Sequence, residues 1–217
     1  MPDLDFQVES ALAEQYAAAP TLIFKTKITQ SDGSDPIHAI ALRCQIRLEP
    51  ARRHYTAEQK SALSELFGAP ALWGQSLRPM LWTHISTIVP AFTGSTVTDL
   101  PVPCTYDFNL ATTKYFDAIN NDGDLPLCFL FSGTVFYHSK DAALQTAPIS
   151  WSKESDFRLP AATWRDMMDR YYPNTAFLAI NKDLFEKLRQ FKLQSGHMAW
   201  DQALENLLQS AEQRIPG

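Results

Sequence analysis

Five histidines, three cysteines and a short run of arginines are the residues of this 217-residue chain whose types could do chemistry, and their spacing decides which. No two of His38, His54, His84, His138 and His197 stand at helical i, i+4 spacing, and none is set against a cysteine pair as in a zinc finger. A metal would need ligands gathered from distant strands, so no metal and no cofactor is expected. His84 stands out because Trp82, two residues earlier in Trp82-Thr-His84-Ile-Ser86, should share its strand face. Its plain reading is a hydrogen-bonded side chain at a half-buried position. Cys44 and Cys128 lie in apolar strand patterns and read as packing residues. Cys104 differs, since the stiff segment Pro101-Val-Pro-Cys104-Thr105 is one where a thiol could be exposed, but it has no basic neighbour to lower its pKa. His84, Cys104 and Tyr106 form the candidate ligand-binding set. Arg43, Arg47, Arg52 and Arg53, with His54, form the basic concentration of the chain. Arg43 and Arg47 share a strand face, so an anion or acidic partner could dock there, against the plain reading of a solvated surface. Asp122-Gly-Asp124 has too few oxygen ligands for a calcium loop and reads as a turn, and Asp166 with Asp169 reads as a solvated helix face. No nucleotide loop or nucleophilic triad is present, and no catalytic residue is assigned.

The formal net charge of −5 favours solubility and gives no general attraction for nucleic acid or anionic lipid. The basic run also lacks interleaved aromatics, so no nucleic-acid partner is expected. The longest apolar stretch, residues 125–137, is interrupted by Pro126, Ser132 and Gly133 and falls short of the roughly 20 residues of a spanning helix. The acidic opening Met1-Pro-Asp-Leu-Asp5 lacks the pattern of a secretory leader, so a cytoplasmic location without membrane insertion is expected. Three well-separated cysteines are poor material for a disulfide framework.

Periodicity indicates the elements that must position these residues. Residues 20–29 alternate Leu22, Phe24, Thr26 and Ile28 against Ile23, Lys25, Lys27 and Thr29, as a half-buried strand does. After Ser31-Asp-Gly-Ser-Asp-Pro36 a second strand, 38–48, turns Ala41, Arg43, Gln45, Arg47 and Glu49 outward, and the two strands are expected to form a hairpin. Thr56-Ala-Glu-Gln59 is a capping box that opens a helix with Leu63, Leu66 and Phe67 as its stripe, ended by Gly68 and Pro70. Further strands are expected over 81–89, 97–111, 127–138 and 149–158, and residues 114–119 either extend a strand or form a helical turn. The period then changes to 3.6. Pro160 opens a helix with Trp164, Met167, Met168, Tyr171 and Tyr172 on one side. Asn181 caps a second, closed by Gly196, whose Leu184, Phe185, Leu188 and Phe191 are expected to be buried. Trp200, Ala203, Leu204, Leu207 and Leu208 mark a third.

Taken together, residues 37–50, Leu81-Trp-Thr-His-Ile-Ser86, Pro101-Val-Pro-Cys-Thr-Tyr-Asp-Phe108, Leu130-Phe-Ser-Gly-Thr-Val-Phe136 and Trp164-Arg-Asp-Met-Met-Asp-Arg-Tyr-Tyr-Pro173 resemble a bacterial family of unknown function, DUF6084, over most of the chain. The resemblance implies gene neighbours belonging to an uptake nickel-iron hydrogenase, and with them an accessory role. It carries over no site residue, and the chain lacks the paired Cys-x-x-Cys that holds nickel and iron in a catalytic subunit.

These readings converge on one α+β domain spanning 1–217. Residues 5–158 are expected to be mainly β, an antiparallel sheet or sandwich with a helical insertion near 56–68. Residues 160–210 are expected to be mainly α, amphipathic helices packed on the sheet at the C-terminal end. The expected function is non-catalytic: binding a protein partner, a hydrogenase subunit or maturation factor, as an accessory or assembly factor through an exposed strand edge or apolar patch. The competing reading is an enzyme or small-ligand binder whose pocket lies between sheet and helices, around His84, Cys104 and Tyr106. Self-association is a third possibility, recognisable by a large apolar self-interface.

Overall fold

Apolar side chains at alternate positions make each long strand two-faced, and the apolar face has to be covered. The computed structural model, which describes residues 2–31, 36–107, 109–120, 122–138 and 143–213, meets that demand by facing two antiparallel sheets. In chain order the elements are β1 (Leu4–Ala13), β2 (Thr21–Gln30), β3 (Ile37–Leu48), α1 (Ala57–Phe67), α2 (Trp73–Ser76), β4 (Met80–Val89), β5 (Ser95–Pro103), α3 (Leu110–Ile119), β6 (Asp124–His138), β7 (Leu144–Pro148), β8 (Glu154–Pro160), α4 (Ala161–Tyr171), α5 (Lys182–Gln194) and α6 (Trp200–Glu212). The first sheet is ordered β1-β2-β5. The second is five-stranded, β4-β3-β6-β7, with β8 also paired to β6. The class is α+β, as the periodicities indicated.

The core lies between the sheets. Phe6 of β1 stacks on Phe131 of β6 at 4.5 Å, and Phe24 of β2 meets Trp82, Phe129 and Phe157 edge-on at 6.1, 5.0 and 5.9 Å. Leu22, Phe24, Thr26 and Ile28 are all buried, as their alternation indicates, and so are Ile40, Leu42, Cys44, Ile46 and Leu48 of β3. The capping box at Thr56 and Gln59 forms, and Gln59 Nε2 also donates to the carbonyl of Ile119, tying α1 to α3. On α4, Trp164, Met167 and Met168 are buried, with Trp164 against Phe116 of α3 at 5.0 Å.

Several elements depart from expectation. The hairpin between residues 20–29 and 38–48 does not form: β2 lies between β1 and β5, and β3 lies in the other sheet between β4 and β6. Alternation fixes which face of a strand is buried, not which neighbour accepts its hydrogen bonds. Both inward faces are satisfied by facing each other across the core, and most of the turn proposed to join the strands, residues 32–35, lies outside the described residues. The strand expected over 97–111 ends at Pro103, and α3 follows. Asn109 caps it by accepting from the Thr112 amide at 3.1 Å, and the buried stripe Thr112, Tyr115, Phe116 and Ile119 outweighs the strand preference of those side chains. The strand expected over 149–158 is β8 alone, preceded by β7 and a tight turn.

Met1–Thr175 and Ala176–Gly217 form two compact units. The second holds α5 and α6, where Phe185 lies 5.4 Å from Trp200 and Lys192 sits over the Trp200 ring at 5.6 Å. Asn181 caps α5 through the Asp183 amide. The expected burial of Leu184, Phe185, Leu188 and Phe191 is not found: no residue of α5 is buried, and Leu184 and Phe185 are 50% and 40% exposed. Amphipathic spacing identifies the face that seeks cover, but whether cover exists is set by the rest of the fold.

Within the second sheet, β6 leaves no room for a side chain against β3 at Gly133. Its φ is +137°, and a Cβ there would stand 2.1 Å from the Ala41 carbonyl oxygen. Gly133→Ala should therefore cost about 3 kcal/mol or more, or prevent folding, whereas Gly74→Ala, where a Cβ meets nothing within 4 Å, should change stability by less than about 1 kcal/mol. Urea midpoints of the two variants check this, and a well-folded Gly133→Ala protein would contradict it.

Candidate functional site

Arg43 occupies the middle of β3, and the register sets it opposite Ser86 on β4 and Ser132 on β6. Two positions along, Gln45 lies opposite His84 and Leu130. Because side chains alternate across the pleat, these rows stand on the outer face of the five-stranded sheet while Leu42, Cys44 and Ile46 point into the sandwich. An open groove of about 420 Å³ runs over them, lined by Arg43, Gln45, His84, Ser86, Ser132 and Trp151. Trp151 is 91% exposed and sits in the turn between β7 and β8, where the Lys153 amide donates to the Ser150 carbonyl at 3.2 Å. Both limbs of that turn are bonded to β6. The Phe131 amide donates to the Lys153 carbonyl at 2.9 Å, and the Ile149 amide donates to the Gly133 carbonyl at 3.0 Å. Lys153 is further anchored to Asp3 at 2.8 Å.

The four candidate arginines separate by partner. Arg52 pairs with Asp156 at 2.6 Å, and Arg47 lies 3.7 Å from Glu49 and 3.9 Å from the Cys128 sulfur. The side chain of Arg53 is 7% exposed and holds the turn before β6, donating to the carbonyls of Asp122 and Asp124 and to the Asp122 carboxylate. These three are engaged by the chain's own groups. Among the described residues, the Arg43 side chain makes no ion pair or hydrogen bond.

His84, Cys104 and Tyr106 are not brought together. His84 is exposed in the outer groove, whereas Trp82, expected on the same face, points into the core. A register irregularity opposite Ile46 and Arg47 accounts for this, because the extra residue turns Trp82 and Thr83 both inward. Cys104 is buried, although its segment could have exposed it, and lines a void of only about 10 Å³ with Trp82, Asn109 and Phe116. Its amide donates to the Pro20 carbonyl, and burial pushes its thiol up to about 12. Tyr106 lies beside Tyr172, with ring centroids 4.9 Å apart. Trp151, Gln45, Ser86 and Ser132 were not singled out from the sequence. Gln45 shares Arg43's outward phase, which marks its face, but the exposure of Trp151 has no local signal. Among the described residues no group of three or more His, Cys, Asp or Glu could hold a metal, and no helix is long and apolar enough to cross a membrane.

The chain belongs to a family of unknown function, DUF6084, which matches residues 1–216. No curated protein matches it. Among solved structures, similarities are found to a β-glucosidase from Kluyveromyces marxianus (4% identity, 72% of this chain and 15% of that one, TM-score 0.26) and to a putative late embryogenesis abundant protein (13%, 74% and 73%, TM-score 0.26). A third is to the putative ApaA protein of Bordetella pertussis (11%, 73% and 93%, TM-score 0.24). At such scores these likenesses carry nothing over to this chain.

The buried Cys104 thiol implies a pH dependence. Its folded pKa is raised from 9.0 to about 12, so the unfolded chain loses this proton first as pH rises. The stability held by the neutral thiol is complete below pH 9 and declines between 9 and 12. Cys104→Ala should lower stability by about 1 kcal/mol at neutral pH and make the alkaline decline shallower. Urea midpoints at pH 7.5 and 10.5 check this, and parallel losses in both proteins would contradict it.

Proposed function

We propose that the protein acts by binding another protein, as a non-catalytic accessory or assembly factor. A subunit or maturation factor of a nickel-iron hydrogenase is the partner that the family resemblance implies. The observation that supports this reading is the state of the helical unit: α5 and α6 carry apolar residues at helical spacing, yet Leu184, Phe185, Leu204 and Leu208 are 50%, 40%, 39% and 64% exposed. An amphipathic helix with part of its stripe uncovered has the side-chain spacing with which helices enter an apolar groove on a partner, through anchors at i, i+3, i+4 and i+7. The partner is accordingly a protein with an apolar groove of roughly 20 Å, the length of the 13-residue α5.

The tagged chain, isolated from its host under oxygen-limited growth that induces hydrogenase, should co-elute with a hydrogenase subunit or maturation factor absent from an untagged control. A Leu184→Ser/Leu208→Ser variant, altered only at exposed positions, should recover at least about 10-fold less of it while unfolding at the same temperature. Elution without that partner, or undiminished recovery by the variant, would overturn the reading.

A further inference from the structure

We propose that the groove over β3 is a binding site for a carboxylate carried next to an aromatic ring, with Arg43, Ser86 and Ser132 holding the carboxylate and Trp151 receiving the ring. This site lies in the sandwich unit, and its argument does not use the helical unit. Arg43 supplies a forked, permanently charged donor at the centre of the sheet, and carboxylates match that fork with two parallel hydrogen bonds. Its cross-strand neighbours on both sides are serines, so a hydroxyl-bearing residue flanks Arg43 on either strand. Arg47, Arg52 and Arg53 are each engaged by the protein's own oxygens, which leaves Arg43 as the open cation of the candidate set. One guanidinium flanked by neutral donors balances a monoanion, which favours a carboxylate over a dianionic phosphate.

Trp151 gives the second half of the recognition. An indole 91% exposed in a flexible loop would say little, but this one is held in a turn bonded at both limbs to β6 and anchored through Lys153. The backbone that carries the ring is therefore placed in advance, and a flat partner ring packing on the indole has only the two side-chain torsions of Trp151 left to order. The volume of about 420 Å³ falls in the range of small-ligand sites and suits a one- or two-ring acid. In the next row Gln45 and His84 offer hydrogen bonds to a polar substituent on that ring. The same chemistry occurs in a free aromatic acid and at a peptide ending in an aromatic residue.

Calorimetric titration of the full chain with phenylacetate, indole-3-acetate, a tetrapeptide ending in Phe, and the amides of phenylacetate and the peptide tests the assignment. Saturable one-to-one binding of at least one carboxylate is expected, weakened at least about 10-fold in its amide and in the Arg43→Gln and Trp151→Ala variants. The exposed Arg78→Gln serves as the charge control and should bind as the wild type does. A peptide that binds more tightly than the free acids assigns the source to a partner chain's end, and the reverse order assigns it to a free acid; either result upholds the site. Absence of saturable binding by every carboxylate, equal binding of acid and amide, or an Arg43→Gln protein that folds normally and binds like the wild type would overturn it.

Discussion

The close approach of β6 to β3 at Gly133 is the constraint on which the second sheet depends. β6 pairs with β3, β7 and β8, so its register is inherited by three neighbours. At Gly133 the absent side chain leaves room for the Ala41 carbonyl, a spacing no L-residue with a Cβ could keep. A slip of one residue here would turn every side chain of β6 to the other face. Phe131 would leave its stack on Phe6, and Ser132 would leave its place opposite Arg43. The Gly133 carbonyl also receives the Ile149 amide, so the turn carrying Trp151 hangs from the same residue. Core packing and both walls of the groove thus share one geometric origin.

The faces of strands were legible in the sequence, and their neighbours were not. Alternation sorted most of β2 and β3 into buried and outward sets, because burial is largely a property each strand expresses alone; Ile23 and Glu49, expected outward, are buried at 7% exposure each. Pairing is a property of two strands, and both β2 and β3 satisfy alternation equally well side by side or face to face. The helices show the same division. Thr56 and Gln59 announce α1 through a local reciprocal bond, whereas α3 is built from Thr, Tyr, Phe and Ile, whose strand preference is overruled by burial against Trp82 and Trp164. Leu184 and Phe185 expose the limit of the method from the other side: the stripe is present, but covering it requires a surface that the pattern does not specify.

The residues of the groove are legible by type and illegible by assembly. Arg43 and His84 were each visible as candidates in separate sets, one for an anion and one for a ligand. What unites them is the antiparallel register of β3 with β4, a long-range fact. The same register separates Trp82 from His84 through one extra residue, which no two-residue spacing rule could reveal. Arg47, Arg52 and Arg53 looked equivalent to Arg43 along the chain, yet three different carboxylates, each of them placed by folding, withdraw them. A cation becomes available for a ligand by lacking an internal partner, and that condition cannot be read from its neighbours in sequence.

The tryptophans make the division between stability and recognition explicit. Trp73, Trp82 and Trp164 are 6%, 4% and 3% exposed and fill the core and the helix contacts around it, while Trp151 is 91% exposed. Burying such a ring is worth about 2 kcal/mol or more, so leaving it in solvent forgoes a contribution comparable to a sizeable part of a domain's net stability. The chain nevertheless anchors its turn with backbone bonds on both sides, which fixes where the side chain emerges without covering it. The sandwich can tolerate this because its own apolar faces are closed against each other, so the stretch of outer face around Arg43 is left exposed while Arg47 and Cys128 pack further along it. A sheet whose core is closed on its inner side is a scaffold on which a small set of outer side chains can be held in place for a partner from outside.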